Sequence, residues 1–159
     1  MASVEKARKE LGDDVIVFQS DAGDVAGQKA VVDQITKSFG RLDILFVNAG
    51  VAKFGPVESW SEADFDKSFA TNVKGPYFLI QALLPIFAKG ASIVLNTSIN
   101  AHTGMPNSSV YSLTKGALLT LAKTLSGELV GRGIRVNAIS PGPIATPLYI
   151  VGSACRKQA

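Results

Sequence analysis

The chain has 159 residues, 47% hydrophobic and 18% charged, which allows one domain with a real core and excludes two comfortable ones. Its net charge of +3 comes from sixteen scattered Lys and Arg with no run of like charge, which argues against nucleic-acid or acidic-lipid binding. Cys155 is the lone cysteine, the N-terminus carries no apolar signal core, and the longest apolar run, FLIQALLPIFA, is too short for a bilayer and broken by Gln81 and Pro85; a soluble, cytoplasmic protein is expected.

The N-terminal MASVEKARKELG is charged and helix-like. Val15–Gln19 (VIVFQ) reads as a buried strand closed by polar SDAGD. A helix is expected over Val25 to Phe39, with Val31, Val32, Ile35 and Phe39 in helical register. Leu42–Gly50 is a second strand ending in a turn. A long helix is expected from Glu62 to Lys89, with Ser61 as N-cap and its last turns loosened by Pro85. Ala91–Ser98 is a third strand, Ser109 to Val130 a further helix, and Ile134–Gly142 a fourth strand broken at Pro141. Apolar strands alternating with helices predict an α/β fold, a doubly wound parallel sheet in three α/β/α layers. Ligands of such sheets gather at the carboxyl ends of the strands, where this sequence places SDAGD, NAG, NTS and SPGP.

The stretch SSVYSLTKGALLTLA sets Tyr111 and Lys115 four residues apart, on one face of a helix. A phenol that works near neutral pH needs its pKa lowered by roughly three units, about 4 kcal/mol. An ammonium about 5 Å away supplies on the order of 3 kcal/mol at an effective dielectric of 20, and the positive end of the helix up to about 1 kcal/mol. The spacing therefore predicts a tyrosine primed by its lysine, with Ser98, at the end of the preceding strand, placed to polarise a substrate oxygen.

From about Val15 to about Leu148 the sequence resembles the classical short-chain dehydrogenase/reductases. VNAG (Val47–Gly50) resembles their NNAG turn, TNVKGPYF contains the matching asparagine Asn72, and IVLNTS followed by YSLTK gives Ser98, Tyr111 and Lys115. RVNAISPGPIATPL resembles the family's PG motif, and Asp21 matches its adenine-contacting acid. The resemblance implies hydride transfer between NAD or NADP and an alcohol or carbonyl substrate. In that scheme Tyr111 exchanges the proton and Lys115 lowers its pKa and binds the cofactor ribose. Ser98 bonds the substrate oxygen, and Asn72 holds a water that links Lys115 to solvent. Cofactor contacts are implied for Asp21, Ala22, Asn48, Ala49, Gly50, Tyr111, Lys115, Pro141, Gly142, Ile144 and Thr146; no metal site is assigned.

Each position also has a plainer reading. Ser98 reads as a strand-end cap, Asn72 as a residue bonded to backbone, Asp21 as a cap of the helix that follows, and Thr146 as a loop threonine. His102, the only histidine, is read as a loop residue near the substrate mouth with no part in proton transfer. Trp60 and Phe65 are read as packing residues.

The family opens with a strand and a glycine-rich turn that receives the pyrophosphate; this sequence has no G-x-x-x-G-x-G turn after a strand. In the family's strand order, 3-2-1-4-5-6-7, two strands would stand between Val15–Gln19 and Leu42–Val47. The resemblance thus implies a single partial NAD(P)-binding Rossmann-like domain over residues 1–159, lacking the glycine-rich start and the last strand, with weak cofactor binding and little activity. A second reading makes the chain only an assembly module, a homo-oligomer formed through its two long helices. Leu118, Leu121, Leu125 and Leu129 offer the second helix an apolar stripe that could equally face the sheet.

Overall fold

The computed structural model describes residues 2–144, with side chains from residue 4 onward. Helix α1 (Ala2–Leu11) is followed by an extended segment and a turn, then α2 (Gln28–Phe39) and strand β1 (Leu42–Val47). Next come α3 (Glu62–Phe69), a π-helical turn (Ala70–Lys74), α4 (Gly75–Leu83) and a 3-10 turn (Leu84–Ile86). Strand β2 (Phe87–Asn96), helix α5 (Ser109–Leu129) and strand β3 (Arg135–Ile139) complete the order. The three strands form one parallel sheet in the order β1-β2-β3, flanked by helices, which is the α/β class expected.

The alternation along the strands decides which face holds the core. Val47, Ile93, Leu95 and Val136 point to one side and pack with Ile80 of α4 and with Ala122, Leu125 and Leu129 of α5. On the opposite side Ile44, Phe46 and Ile139 stay exposed, at 69%, 52% and 43% of their surface. Leu118, Leu125 and Leu129 are buried and Leu121 packs against the core, so the predicted stripe meets the protein interior, while Leu113 of the same helix stays exposed.

Three predicted elements are corrected. Val15–Gln19 is not a strand of the sheet: it runs extended with Val15, Ile16 and Phe18 exposed, and Arg8 donates to the Val17 carbonyl at 3.0 Å. Its apolar content reads as a strand, but strand structure requires a ladder partner that β1 does not supply. Helix α2 starts at Gln28 rather than Val25, and ends where Gly40, at φ 71°, takes the left-handed conformation and donates to the Thr36 carbonyl. The long helix expected to Lys89 is interrupted by the π turn and stops at the 3-10 turn containing Pro85; Phe87–Lys89 belong to β2. Its predicted start agrees, since the Ser61 hydroxyl accepts from the Asp64 amide at 3.2 Å.

Candidate active site

The carboxyl ends of β1 and β2 and the first turns of α5 meet over the π turn. Helix α5 starts after Ser108, which places Tyr111 in its first turn and Lys115 one turn later, facing the end of β2. The Lys115 ammonium donates to the Asn96 carbonyl at 2.8 Å and lies 5.6 Å from the centre of the Tyr111 ring. Ser98, at the start of the loop after β2, hydrogen-bonds the Tyr111 phenol and accepts from the Asn100 amide at 3.2 Å. Phe54 packs at 51° against the Tyr111 ring, with centroids 5.6 Å apart. Ser98, Tyr111 and Lys115 are thus brought together.

The electrostatics differ from the expectation of a lowered phenol. Burial pushes Tyr111 above its ordinary value, and the hydrogen bond from Ser98 pulls in the opposite direction. Burial also drives Lys115 down to about 8, because an ammonium held away from water loses hydration that a carbonyl only partly restores. Desolvation, which sequence spacing does not reveal, outweighs the attraction on which the expected priming was built.

Asn72 lies in the π turn and is 1% exposed. Its amide accepts from the Val51 N–H at 2.8 Å and donates to the Val51 carbonyl at 2.8 Å and to the Thr114 hydroxyl at 3.1 Å. Thr114, fully buried, in turn donates to the Tyr111 carbonyl at 2.8 Å. Asn72 therefore ties the loop after β1 to the helix that carries Tyr111 and Lys115. A wide turn at a functional position is common, because the extra residue re-aims a side chain. A Cβ on Gly50 would stand 3.3 Å from the Asn72 oxygen and 3.6 Å from the Lys115 ammonium, so Gly50 borders the same cluster.

The remaining predicted residues are placed more loosely. Asn48, Ala49 and Gly50 are exposed at the end of β1, where Asn48 accepts from the Asn96 amide at 2.6 Å. The other oxygen of this pair, on Asn96, is buried without a partner. Asp21 accepts from the Gly23 amide at 2.8 Å and shapes a local turn; it does not cap α2, which begins seven residues later. Ala22 packs against Gly75 at the start of α4. The Pro141 carbonyl accepts from the Ile99 amide at 3.0 Å, while Gly142 and Ile144 are exposed. Thr146 lies outside the described residues. Trp60 donates to the Gly55 carbonyl at 3.3 Å and Phe65 stacks on Phe69, both packing roles.

Sequence reasoning missed Thr114 and Asn96. Thr114 sits within YSLTK, but its partner Asn72 is 42 residues away, and no local pattern signals that bond. Asn96 takes part through its backbone carbonyl, which any residue type supplies.

The residues present fit the nicotinamide half of a dinucleotide in donor type. An exposed turn at the end of β1, a buried ammonium and an unpartnered Asn96 amide oxygen supply the donor and acceptor types that ribose hydroxyls and a carboxamide require. The phosphate-cradling glycine turn is not found in this sequence.

Comparison with known proteins gives the same direction. A family profile described as Enoyl-(Acyl carrier protein) reductase matches residues 1–156. An uncharacterized oxidoreductase of Thermotoga maritima is 41% identical over 143 residues, covering 88% of this chain and 55% of that protein. The glucose and ribitol dehydrogenase of Daucus carota is 36% identical, covering 91% and 50%. Among solved structures, the 3-ketoacyl-(acyl-carrier-protein) reductase of Brucella melitensis complexed with NADH superposes with a TM-score of 0.89 at 33% identity, over 94% of this chain and 65% of that one. The chain spans about half the length of the curated relatives it matches.

Proposed function

This chain belongs to the short-chain dehydrogenase/reductase family, and we propose that its site serves an NAD(P)-dependent oxidoreductase acting on a small alcohol or carbonyl substrate. The observation that carries the reading is the convergence of the Ser98 hydroxyl, the Tyr111 phenol and the Lys115 ammonium on one strand end. A bound nicotinamide supplies or accepts the hydride. The Tyr111 hydroxyl gives its proton to the substrate oxygen in reduction and takes it back in oxidation. Ser98 donates to that same oxygen and orients it. Lys115 would hold a ribose hydroxyl of the cofactor, and its proton would offset charge developing on the phenolate. Asn72 holds Val51 and Thr114 and so fixes the helix turn that presents both groups.

The name of the Brucella melitensis relative, complexed with NADH, supports a nicotinamide cofactor, and the Daucus carota dehydrogenase supports an alcohol or carbonyl substrate. Assembly into a homo-oligomer through the outer faces of α4 and α5 fits the open groove lined by Lys74, Tyr77, Leu113, Ala117 and Thr124. A role confined to assembly, without catalysis, is less well supported, because a buried lysine beside a serine–tyrosine pair is not needed to join two helices.

The test is carbonyl reduction by NADH and NADPH at high protein concentration, with isothermal titration of both cofactors, in the wild type and in Tyr111→Phe. Turnover should fall at least about 10²-fold in the variant, the usual worth of a positioned proton donor, with cofactor affinity little changed. Equal turnover in the two proteins would overturn the assignment.

A further inference from the structure

Beside the cluster just described runs a second line of polar groups that joins the loop after β2 to the loop after β3. The His102 Nε2 lies 3.0 Å from the Ser140 hydroxyl, which lies 2.6 Å from the Thr97 hydroxyl. The Thr97 hydroxyl donates to the Ile139 carbonyl at 2.8 Å. Counting donors fixes the direction of the whole line. A hydroxyl has one proton. That of Thr97 is committed to the carbonyl, so Ser140 must donate to Thr97. The proton of Ser140 is then committed as well, so His102 must donate through Nε2–H. The line runs His102 to Ser140 to Thr97 to Ile139.

This polarity rules out one reading of a Ser–His pair. A histidine that activates a serine accepts the serine's proton; here His102 donates and Ser140 gives its proton elsewhere. The alternative is mechanical. Pro141 has no N–H, so the loop after β3 can be held through its carbonyls and through the Ser140 side chain but not through a Pro141 amide. The Thr97 and Ile99 amides, on either side of Ser98, donate to the Ile139 and Pro141 carbonyls at 2.8 and 3.0 Å. Both neighbours of Ser98 are therefore pinned to the β3 end, and His102 closes the clasp from the far side of the same loop.

We infer that His102 is a positioning residue that, through Ser140 and Thr97, clasps the Ser140–Pro141–Gly142 loop to the segment bearing Ser98. The clasp itself is a property of the chain alone; only its effect on cofactor and turnover rests on the oxidoreductase reading above.

Three variants test it. His102→Phe keeps a ring and removes the donor, His102→Gln keeps an N–H donor on a side chain of similar reach, and Ser140→Ala removes the middle of the line. Hydrogen exchange at the Ile99 amide should quicken roughly fivefold in His102→Phe and Ser140→Ala, the factor one neutral hydrogen bond of average strength supplies. It should return to the wild-type rate in His102→Gln. The Gly55 amide, which donates to the Asn107 carbonyl at 2.8 Å outside the clasp, should not change. Unchanged exchange at Ile99 in His102→Phe, or equal quickening at Gly55, would overturn the inference. In the cofactor arm, His102→Phe should raise the KM for NADH or NADPH severalfold and leave kcat within twofold, with Gln restoring KM. A fall in kcat with KM unchanged would overturn the positioning role. Absence of cofactor binding in the wild type would sink the oxidoreductase reading while the exchange arm still decides the clasp.

Discussion

An ammonium buried to 5% exposure against the Asn96 carbonyl makes folding sensitive to alkali at Lys115. The unfolded chain holds that proton to about 10.5, the folded chain to about 8. Between these values the unfolded state binds more protons, so stability rises with pH through this window; below 8 both states are protonated and the penalty is fully present. The rise is on the order of 3 kcal/mol at most. Tyr111, pushed above 10 by burial, opposes the trend only at pH above 10. Urea midpoints measured from pH 7 to 9.5 should therefore climb in the wild type, and the climb should flatten in Lys115→Met. An equal climb in the variant would place the titrating group elsewhere. At this scale Ser98, Tyr111 and Lys115 were legible because two of them share a helix turn and the third ends a recognisable strand. The direction of the Tyr111 shift was not, since burial is set by Phe54 and other groups distant in sequence. The bond of His102 to Ser140 spans 38 residues and leaves no trace in local pattern.

Helix boundaries illustrate what periodicity can and cannot carry. Ser61 capped α3 as its residue type predicts, and α5 ended within one residue of expectation, because caps and apolar spacing are local signals. The π turn at Ala70–Lys74 leaves no signal in the local apolar spacing, and it leads into a tight tertiary contact at Gly75. Gly75 sits so near the preceding turn that a Cβ there would lie 1.8 Å from the Ala22 carbonyl oxygen, with backbone on both sides of the clash. Gln28 reinforces the junction by donating to the Gly75 carbonyl at 2.8 Å. Gly75→Ala must displace either the Asp21–Gly23 turn or the helix that carries Asn72. A loss of about 3 kcal/mol is expected, the upper part of the usual overpacking range. Thermal unfolding checks it, and a variant within about 0.5 kcal/mol of wild type would show that the contact relaxes freely.

Among the described residues the molecule is asymmetric about its sheet. One face is sealed by α4 and α5, while the other presents Ile44, Phe46 and Ile139. Exposed apolar side chains on a sheet face bind hydrophobic dyes and promote association. Replacing Ile44 and Phe46 together by lysine should lower dye fluorescence several-fold and reduce concentration-dependent light scattering, with no loss of helical circular dichroism. Persistent dye binding would move the sticky surface elsewhere, for instance to Val15, Ile16 and Phe18. The parallel α/β class was legible from alternation of strand and helix. The strand count was not, because an apolar segment reveals its appetite for a sheet and not whether a neighbour stands beside it.

Parallel pairing has a kinetic corollary. Neighbouring strands here cannot meet through a hairpin; β1 finds β2, and β2 finds β3, only after a long crossover has closed, so contact order is high and the nucleus is expensive in chain entropy. Asn72 lies within the first crossover, Ser98 just past the end of β2, and Tyr111 and Lys115 within the second. The site is therefore complete only when both crossovers have closed.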